Sequence, residues 1–286
     1  MTALKPSRSA GPPDGDDFAP VELVDGKDDA PALFICDHAS NALPNIYGSL
    51  GLPPEQFARH IAWDIGAADV TRALATLFEA PAVLSRFSRL LIDPNRGADD
   101  PTLVMRISDG ALIPANAPID DKEIARRTDL YWRPYRDAIA AQLDRMSAQL
   151  TPPAIVSIHS FTPVWRGTSR PWQIGLLWDG DPRLAQALMS ELETQPDLTI
   201  GDNEPYDGAL EGDTLYDLGT LRGLPHILIE IRQDLIATPA GAQAWADRIA
   251  RALRPALARA GVRMTERHPS YARSLGGRPI LARTRT

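Results

Sequence analysis

ALFICDHASN, residues 32–41, changes character at its midpoint: five apolar residues, Ala32 to Cys36, give way to Asp37, His38, Ser40 and Asn41. An apolar run of this length, entered from Pro31 and ended by polar residues, predicts a short buried strand. Its polar end is where chemistry is expected, because open α/β sheets bind ligands outside the carboxyl ends of their strands. Ala154 to Ile158 repeats the arrangement, with His159, Ser160 and Phe161 following an apolar run. Ile174 to Leu177 and Ile227 to Ile231 read as further core strands, the last carrying Glu230. Strand pieces are expected at Ala82 to Leu84 and at Leu90 to Ile92, closed by the turn DPNRG, Asp93 to Gly97.

Between the strands lie helical patterns. One helix is expected from about Pro54 to Phe78, with the Gly66, Ala67, Ala68 step packed closely on the sheet. A second runs from the capping residue Asp120 to about Leu150, with Ile124, Leu130, Tyr131, Tyr135, Ile139 and Leu143 at helical spacing. Others run from Pro182 to Glu193 and from Pro239 to Ala260. Strands alternating with helices imply one α/β domain of three layers: a mainly parallel or mixed sheet with helices on both faces. The expected limits are a flexible arm at 1–29, the domain at 30–262 and a disordered, Arg-rich tail at 263–286. Val21 to Val24 in the arm reads as a lead-in to an edge strand.

Composition narrows the function. The chain has 286 residues, 44% hydrophobic and 23% charged, which suits a globular protein with a sizeable core. Its net charge of -7 gives no general attraction to nucleic acid or to anionic membranes. Cys36 is the only cysteine, which excludes an internal disulfide and a thiolate metal cluster, and leaves histidine and carboxylate as metal ligands. No apolar stretch is long enough to span a membrane, and the N-terminus lacks a basic segment followed by an apolar one, so a cytoplasmic location is expected.

His38 and His159 both lie at strand ends, where distant side chains meet on one sheet edge. Imidazole is a common Zn2+ ligand, and a catalytic zinc takes three protein ligands. Asp64, in HIAWDIGA, is the leading third ligand because it is expected early on a helix at that edge; Asn41 and His60 are its rivals. Asp37 suits an acceptor that orients a liganding histidine. Arg86, Arg89, Asn95 and Arg96 cluster in an acidic protein and suit an anion receptor, since guanidinium groups grip carboxylates bidentately. Glu230 interrupts an apolar strand. Burial raises a carboxyl pKa, which suits a base that takes a proton from water and passes it to a leaving amine; an ion pair with Arg232 is the structural alternative. Cys36 reads as a small buried hydrophobe.

Taken in order, CDHASNALP, HIAWDIGA, SRLLIDPNRG, IHSFTP, EPYDGAL and HILIEIRQD resemble the N-formylglutamate amidohydrolase family over roughly residues 31–253. The resemblance implies a zinc-exopeptidase-like fold related to zinc carboxypeptidases and aspartoacylases. It also implies one Zn2+, or another divalent metal, per chain. By this resemblance His38 and His159 hold the metal, Asn95 and Arg96 grip the substrate carboxylate, Glu230 is the general acid and base, and Arg86 or Arg89 supports the oxyanion or a second carboxylate. The implied substrate is a small anionic N-acyl amino acid such as N-formylglutamate, cleaved to formate and glutamate as in histidine degradation. Asn41 stands where the wider carboxypeptidase pattern has the glutamate of His-x-x-Glu, and Ser40 and Asn41 replace a glycine-containing loop. Two other readings remain: a related zinc hydrolase of a different acyl group, and a non-catalytic module that binds acidic amino acids.

Overall fold

The alternating pattern resolves, in a computed structural model that describes residues 17–274, into a seven-stranded mixed sheet with helical layers. In chain order the strands are β1 (Val21–Val24), β2 (Ala32–Cys36), β3 (Ala82–Ser85), β4 (Ile107–Ser108), β5 (Ala111–Leu112), β6 (Ala154–Phe161), β7 (Val164–Trp165), β8 (Thr168–Ser169), β9 (Ile174–Leu177), β10 (Ile200–Asp202) and β11 (His226–Arg232). The sheet order is β1-β3-β2-β6-β11-β9-β10, while β4 with β5 and β7 with β8 form separate two-stranded ribbons. β3, β2, β6 and β11 run parallel; β1 closes one edge antiparallel to β3, and β9 reverses direction against β11.

The central strands are buried on both faces, as expected of parallel strands joined by helical crossovers. Every residue of β2 and β6 is buried. The helices are α1 (Ala67–Phe78), α2 (Asp121–Arg127), α3 (Arg133–Ser147), α4 (Arg183–Leu192), α5 (Pro239–Ala258) and the short α6 (Tyr271–Ser274). α1 and α4 pack with α5, and α1 and α4 lie on the sheet; α3 packs on β1, β2 and β3. The buried stripe of α1, Val70, Leu74, Ala75 and Phe78, follows the 3.6-residue period, and Phe78 meets Phe34 of β2 with ring centroids 5.3 Å apart.

Several expected elements take a different form. The helix expected from Pro54 is a 3-10 turn at Pro54–Ala58, an irregular stretch, and then α1. Gly66 ends the irregular stretch with φ +82°, and a Cβ there would come within 2.1 Å of the Ile236 carbonyl oxygen, so only glycine fits. Leu90 to Ile92 forms a buried turn in place of a strand: Ser88 Oγ donates to the Ala62 carbonyl and accepts from Leu90 N–H, and Leu91 N–H donates to Ser88 O. The long helix after Asp120 is present, capped by the Asp120 side chain on Glu123 N–H, but a π-helical turn, Thr128–Trp132, divides α2 from α3.

Val21–Val24, expected as a lead-in to an edge strand within a flexible arm, is itself the edge strand, paired with β3, and residues 1–16 of the expected arm lie outside the described residues. Of the expected disordered tail, 275–286 also lies outside them, whereas residues 263–274 are tied to the domain. Glu266 N–H donates to Gly223 O, Arg183 to the Met264 carbonyl, and Tyr271 N–H to Asp179. No helix among the described residues is long and apolar enough to cross a membrane.

Candidate active site

The parallel strands β3, β2, β6 and β11 end on the same edge, and chemistry-bearing side chains gather there. Asp37 and His38 leave the end of β2. His159 lies within β6 rather than after it, because that strand continues to Phe161. Glu230 of β11 is the direct lateral neighbour of His159. The irregular stretch before α1 brings in Asp64, whose N–H donates to the His38 carbonyl at 2.9 Å. Asp64 therefore sits ahead of the helix, not early on it as expected: a regular helix through residue 64 would lack that bond.

His38, Asp64 and His159 are all buried and offer ligand atoms within 4.8 Å of one another. The two imidazole rings stand edge to face, 4.9 Å between centroids. Each ring is held from behind by its own carboxylate. His38 Nε2–H donates to Asp93 Oδ1 at 2.7 Å, and His159 Nε2–H donates to Asp37 Oδ2 at 3.0 Å. The Nδ1 atoms are thereby turned toward Asp64, at 3.4 Å from His38 and 2.8 Å from His159. His38 Nδ1 and Asp64 Oδ1 are buried without a hydrogen-bond partner among the described residues. Buried polar atoms are normally satisfied, so two orphans beside a third donor fit a cation; the two imidazoles and one carboxylate match a zinc donor set, and carboxylate-backed histidines are the usual support of such ligands.

The charges behave as a dense network. Burial alone would raise the carboxyl pKa values, but hydrogen bonding and attraction from His159 and His38 bring Asp37 down to about 2. Asp93 is likewise held well below the usual range against burial, by Arg89 and His38. Burial opposes the charge on Arg89 too, yet Asp93 and Asp64 hold it firmly protonated. Glu230 differs: burial raises its pKa to about 7, and its Oε2 has no partner among the described residues. Arg232, the alternative partner of Glu230, instead bonds Asp234 at 2.8 Å.

The DPNRG turn forms the adjoining wall. Asn95 Oδ1 accepts from Thr214 N–H at 3.1 Å, which fixes its amide at the wall of the cavity that Asn95 helps line. Arg96 lines the same cavity, its Nη1 donating to Asn95 O at 2.9 Å. Arg136, at the start of α3, donates to the carbonyls of Pro94, Arg96 and Gly212, and Trp132 Nε1–H to Arg96 O, so the π-helical turn and α3 clamp this wall. Gly97 and Gly212 permit the crossing of the two loops: a Cβ on Gly212 would lie 2.9 Å from Gly97 Cα.

The structure thus brings together His38, Asp64, His159, Arg89, Asn95, Arg96 and Glu230 around one cavity of about 710 Å3. It does not bring in Arg86, which is exposed beside β1, with its N–H on Pro20 O and its charge near Glu22. The cause is alternation along the extended chain: the preceding Ser85 turns inward, its hydroxyl donating to the Asp37 carbonyl, so Arg86 turns outward. Asn41 is also away from the cluster, its amide donating to Phe57 O at 2.8 Å and pinning the intervening loop. His60 lines the cavity with Nδ1 3.7 Å from Asp64 Oδ1, outside the compact trio, and burial depresses its pKa to about 4. Cys36 is fully buried, and burial pushes its thiol pKa up, which suits packing and not nucleophilic attack. Sequence reasoning missed Asp93 as the partner of His38, and Thr214, whose hydroxyl donates to Asp37 Oδ1 at 2.6 Å. Asp93 had a signal, as the first residue of DPNRG; Thr214 had none.

Known proteins resemble this chain in sequence and in fold. The family model described as N-formylglutamate amidohydrolase matches residues 30–237. The crystal structure of gene product Atu2144 from Agrobacterium tumefaciens is 35% identical with a TM-score of 0.79, covering 84% of this chain and 95% of that one. The N-formylglutamate amidohydrolase from Ralstonia eutropha JMP134 shares the fold at a TM-score of 0.61 and 20% identity, covering 84% of this chain and 97% of that one. No curated protein sequence matches the chain.

Proposed function

The chain belongs to the N-formylglutamate amidohydrolase family, and we propose that it is a zinc-dependent amidohydrolase that cleaves the N-acyl amide of an acidic amino acid, of which N-formylglutamate is the simplest. One observation carries the metal dependence: His38, Asp64 and His159 converge, and each imidazole is backed by a separate buried carboxylate, Asp93 or Asp37. These three residues would hold one divalent cation per chain. Bound there, the cation supplies Lewis acidity, polarising a carbonyl and making water more acidic.

The chain's own residues do the rest. Asn95 and Arg96 receive the substrate carboxylate, and Arg89, fixed by Asp93 at 2.9 Å, adds positive potential beside the reacting amide. Glu230, with its pKa raised to about 7 by burial, takes the proton of the attacking water and delivers it to the leaving nitrogen. Water is consumed, and a carboxylic acid and an amino acid are released. The experiment is turnover of N-formyl-L-glutamate before and after chelation, with Glu230→Gln alongside. Chelation should abolish turnover and added Zn2+ restore it, and Glu230→Gln should lower kcat about 10^2- to 10^4-fold with little change in KM. Wild-type kcat in Glu230→Gln would remove its assigned role. A purified protein that holds no divalent metal and gains nothing from zinc would instead be a binding module for acidic amino acids.

A further inference from the structure

The cavity extends well past the groups that hydrolysis requires. Side chains at alternate positions of a strand share a face, and His226, Leu228 and Glu230 of β11 all line the cavity. Four residues of strand separate Glu230 from His226, about 13 Å. The neighbouring strand β9 runs antiparallel, with Gly175 opposite Glu230 and Leu177 opposite Leu228. Continued by two residues, that register sets Asp179 level with His226, at the far end of the same trough. Leu177, Leu228 and Trp178 line its middle. The roof is the loop after Tyr206, seated so closely that a Cβ at Gly208 would lie 2.3 Å from Trp178 N.

Asp179 is 4% exposed. Its Oδ1 accepts from Tyr271 N–H at 2.8 Å, and its Oδ2 is buried with no partner among the described residues. The neighbouring His226 is already occupied: Nδ1–H donates to Leu224 O at 2.8 Å and Nε2 accepts from Thr220 Oγ1 at 3.1 Å. Asp207, beside the Gly208 that packs on Trp178, also lines the cavity. The far end thus presents a carboxylate that no cation bonds among the described residues. Arg89 and Arg96 follow β3 on one side of the histidines, and Asp179 follows β9 on the other.

We propose that the acyl half of the substrate is a chain ending in an ammonium group, which Asp179 Oδ2 binds while the methylene stem lies over Leu177 and Leu228. This rests on the amidohydrolase reading above and specifies its substrate class: an acidic amino acid joined through its nitrogen to an ω-aminoacyl or short peptidyl group. A formyl group, with a single carbon, leaves the trough unused. Hydrolysis stays balanced, because water gives its OH to the acyl carbon and its proton to the nitrogen, releasing an amino-terminated acid and the acidic amino acid.

The test compares kcat/KM of the zinc-loaded full chain for N-formyl-, N-hexanoyl- and N-(ω-aminohexanoyl)-L-glutamate. The two long substrates have nearly the same length and differ in the terminal charge. The wild type should prefer the amino-terminated one by at least about tenfold, the scale of one charge-assisted hydrogen bond. Asp179→Asn keeps an acceptor for Tyr271 N–H and should bring that ratio close to one. Both rates come from the same preparation, so partial misfolding cancels in the ratio. A wild-type ratio near one, or a ratio unchanged in Asp179→Asn, overturns the proposal, and if N-formylglutamate is still cleaved the amidohydrolase reading survives it. No turnover of any of the three overturns both.

Discussion

Replacing Asp37 separates its orienting role from its packing role. Its carboxylate accepts three hydrogen bonds: from His159 Nε2–H at 3.0 Å, Ser157 Oγ at 3.0 Å and Thr214 Oγ1 at 2.6 Å. In Asp37→Asn the amide oxygen can keep the His159 and Ser157 bonds if the NH2 faces Thr214. The Thr214 hydroxyl can then accept that NH2 and donate to the Pro94 carbonyl, already 3.3 Å away. Geometry survives, and what is lost is the negative charge behind His159. Loss of such a supporting partner costs roughly 10- to 100-fold in metal affinity. Asp37→Leu instead strands three buried donors at about 1–3 kcal/mol each, so roughly 3–9 kcal/mol of folding stability is at risk. The assay is competition for Zn2+ with a chromophoric chelator, paired with thermal melts of the metal-free proteins. Asp37→Asn should melt close to wild type yet bind zinc more weakly, while Asp37→Leu should melt far lower or fail to fold. Wild-type zinc affinity in Asp37→Asn would refute the claim that this carboxylate tunes a metal ligand.

Three further outcomes follow from the same geometry. Arg96→Ala should raise KM for N-formylglutamate by roughly 10-fold or more, as expected when a charged hydrogen-bond partner is removed, with kcat less affected; unchanged KM would take Arg96 out of the carboxylate site. Asp213 is buried, and burial raises its pKa from 3.8 to about 7, so folding favours its protonated form. Its contribution is fully favourable below pH 3.8 and is lost as pH rises toward 7. Asp213→Asn should therefore raise the melting temperature relative to wild type at pH 8, by at most about 4 kcal/mol of stability, and by much less at pH 4.5; an equal difference at both pH values would refute the shift. Gly66→Ala should destabilise the fold by more than about 1–3 kcal/mol, the cost of left-handed strain alone, since its Cβ would also strike Ile236 O. Denaturant unfolding checks it, and an unchanged midpoint would mean that the Gly66 turn relaxes freely.

Much of the architecture was legible because strand and helix signals are local. Five apolar residues before Asp37 make a buried strand wherever the rest of the chain goes, and a histidine at its end must reach the carboxyl edge of the sheet. The same reasoning placed Glu230 on a core strand and Asn95 and Arg96 on a turn near that edge. It failed for Leu90 to Ile92, because Ser88 diverts the backbone through a bond to Ala62, a residue distant in sequence.

The choice among neighbours was decided by tertiary structure. From residue types alone Asp64, Asn41 and His60 were rivals for the histidine pair; the bond from Asp64 N–H to His38 O brings Asp64 into the cluster, while Asn41 is spent on Phe57. Arg86 and Arg89 look equivalent in the sequence, yet one faces outward beside β1 and the other reaches Asp93. The partnership of Asp93 with His38 spans 55 positions, so the DPNRG turn marks Asp93 but not the histidine it meets. Hydrophobic period and strand-end polarity, properties of adjacent residues, determined the sheet and its reactive edge. Which side chain completes the site depends on irregular segments, and those follow paths set by hydrogen bonds between residues far apart in the chain.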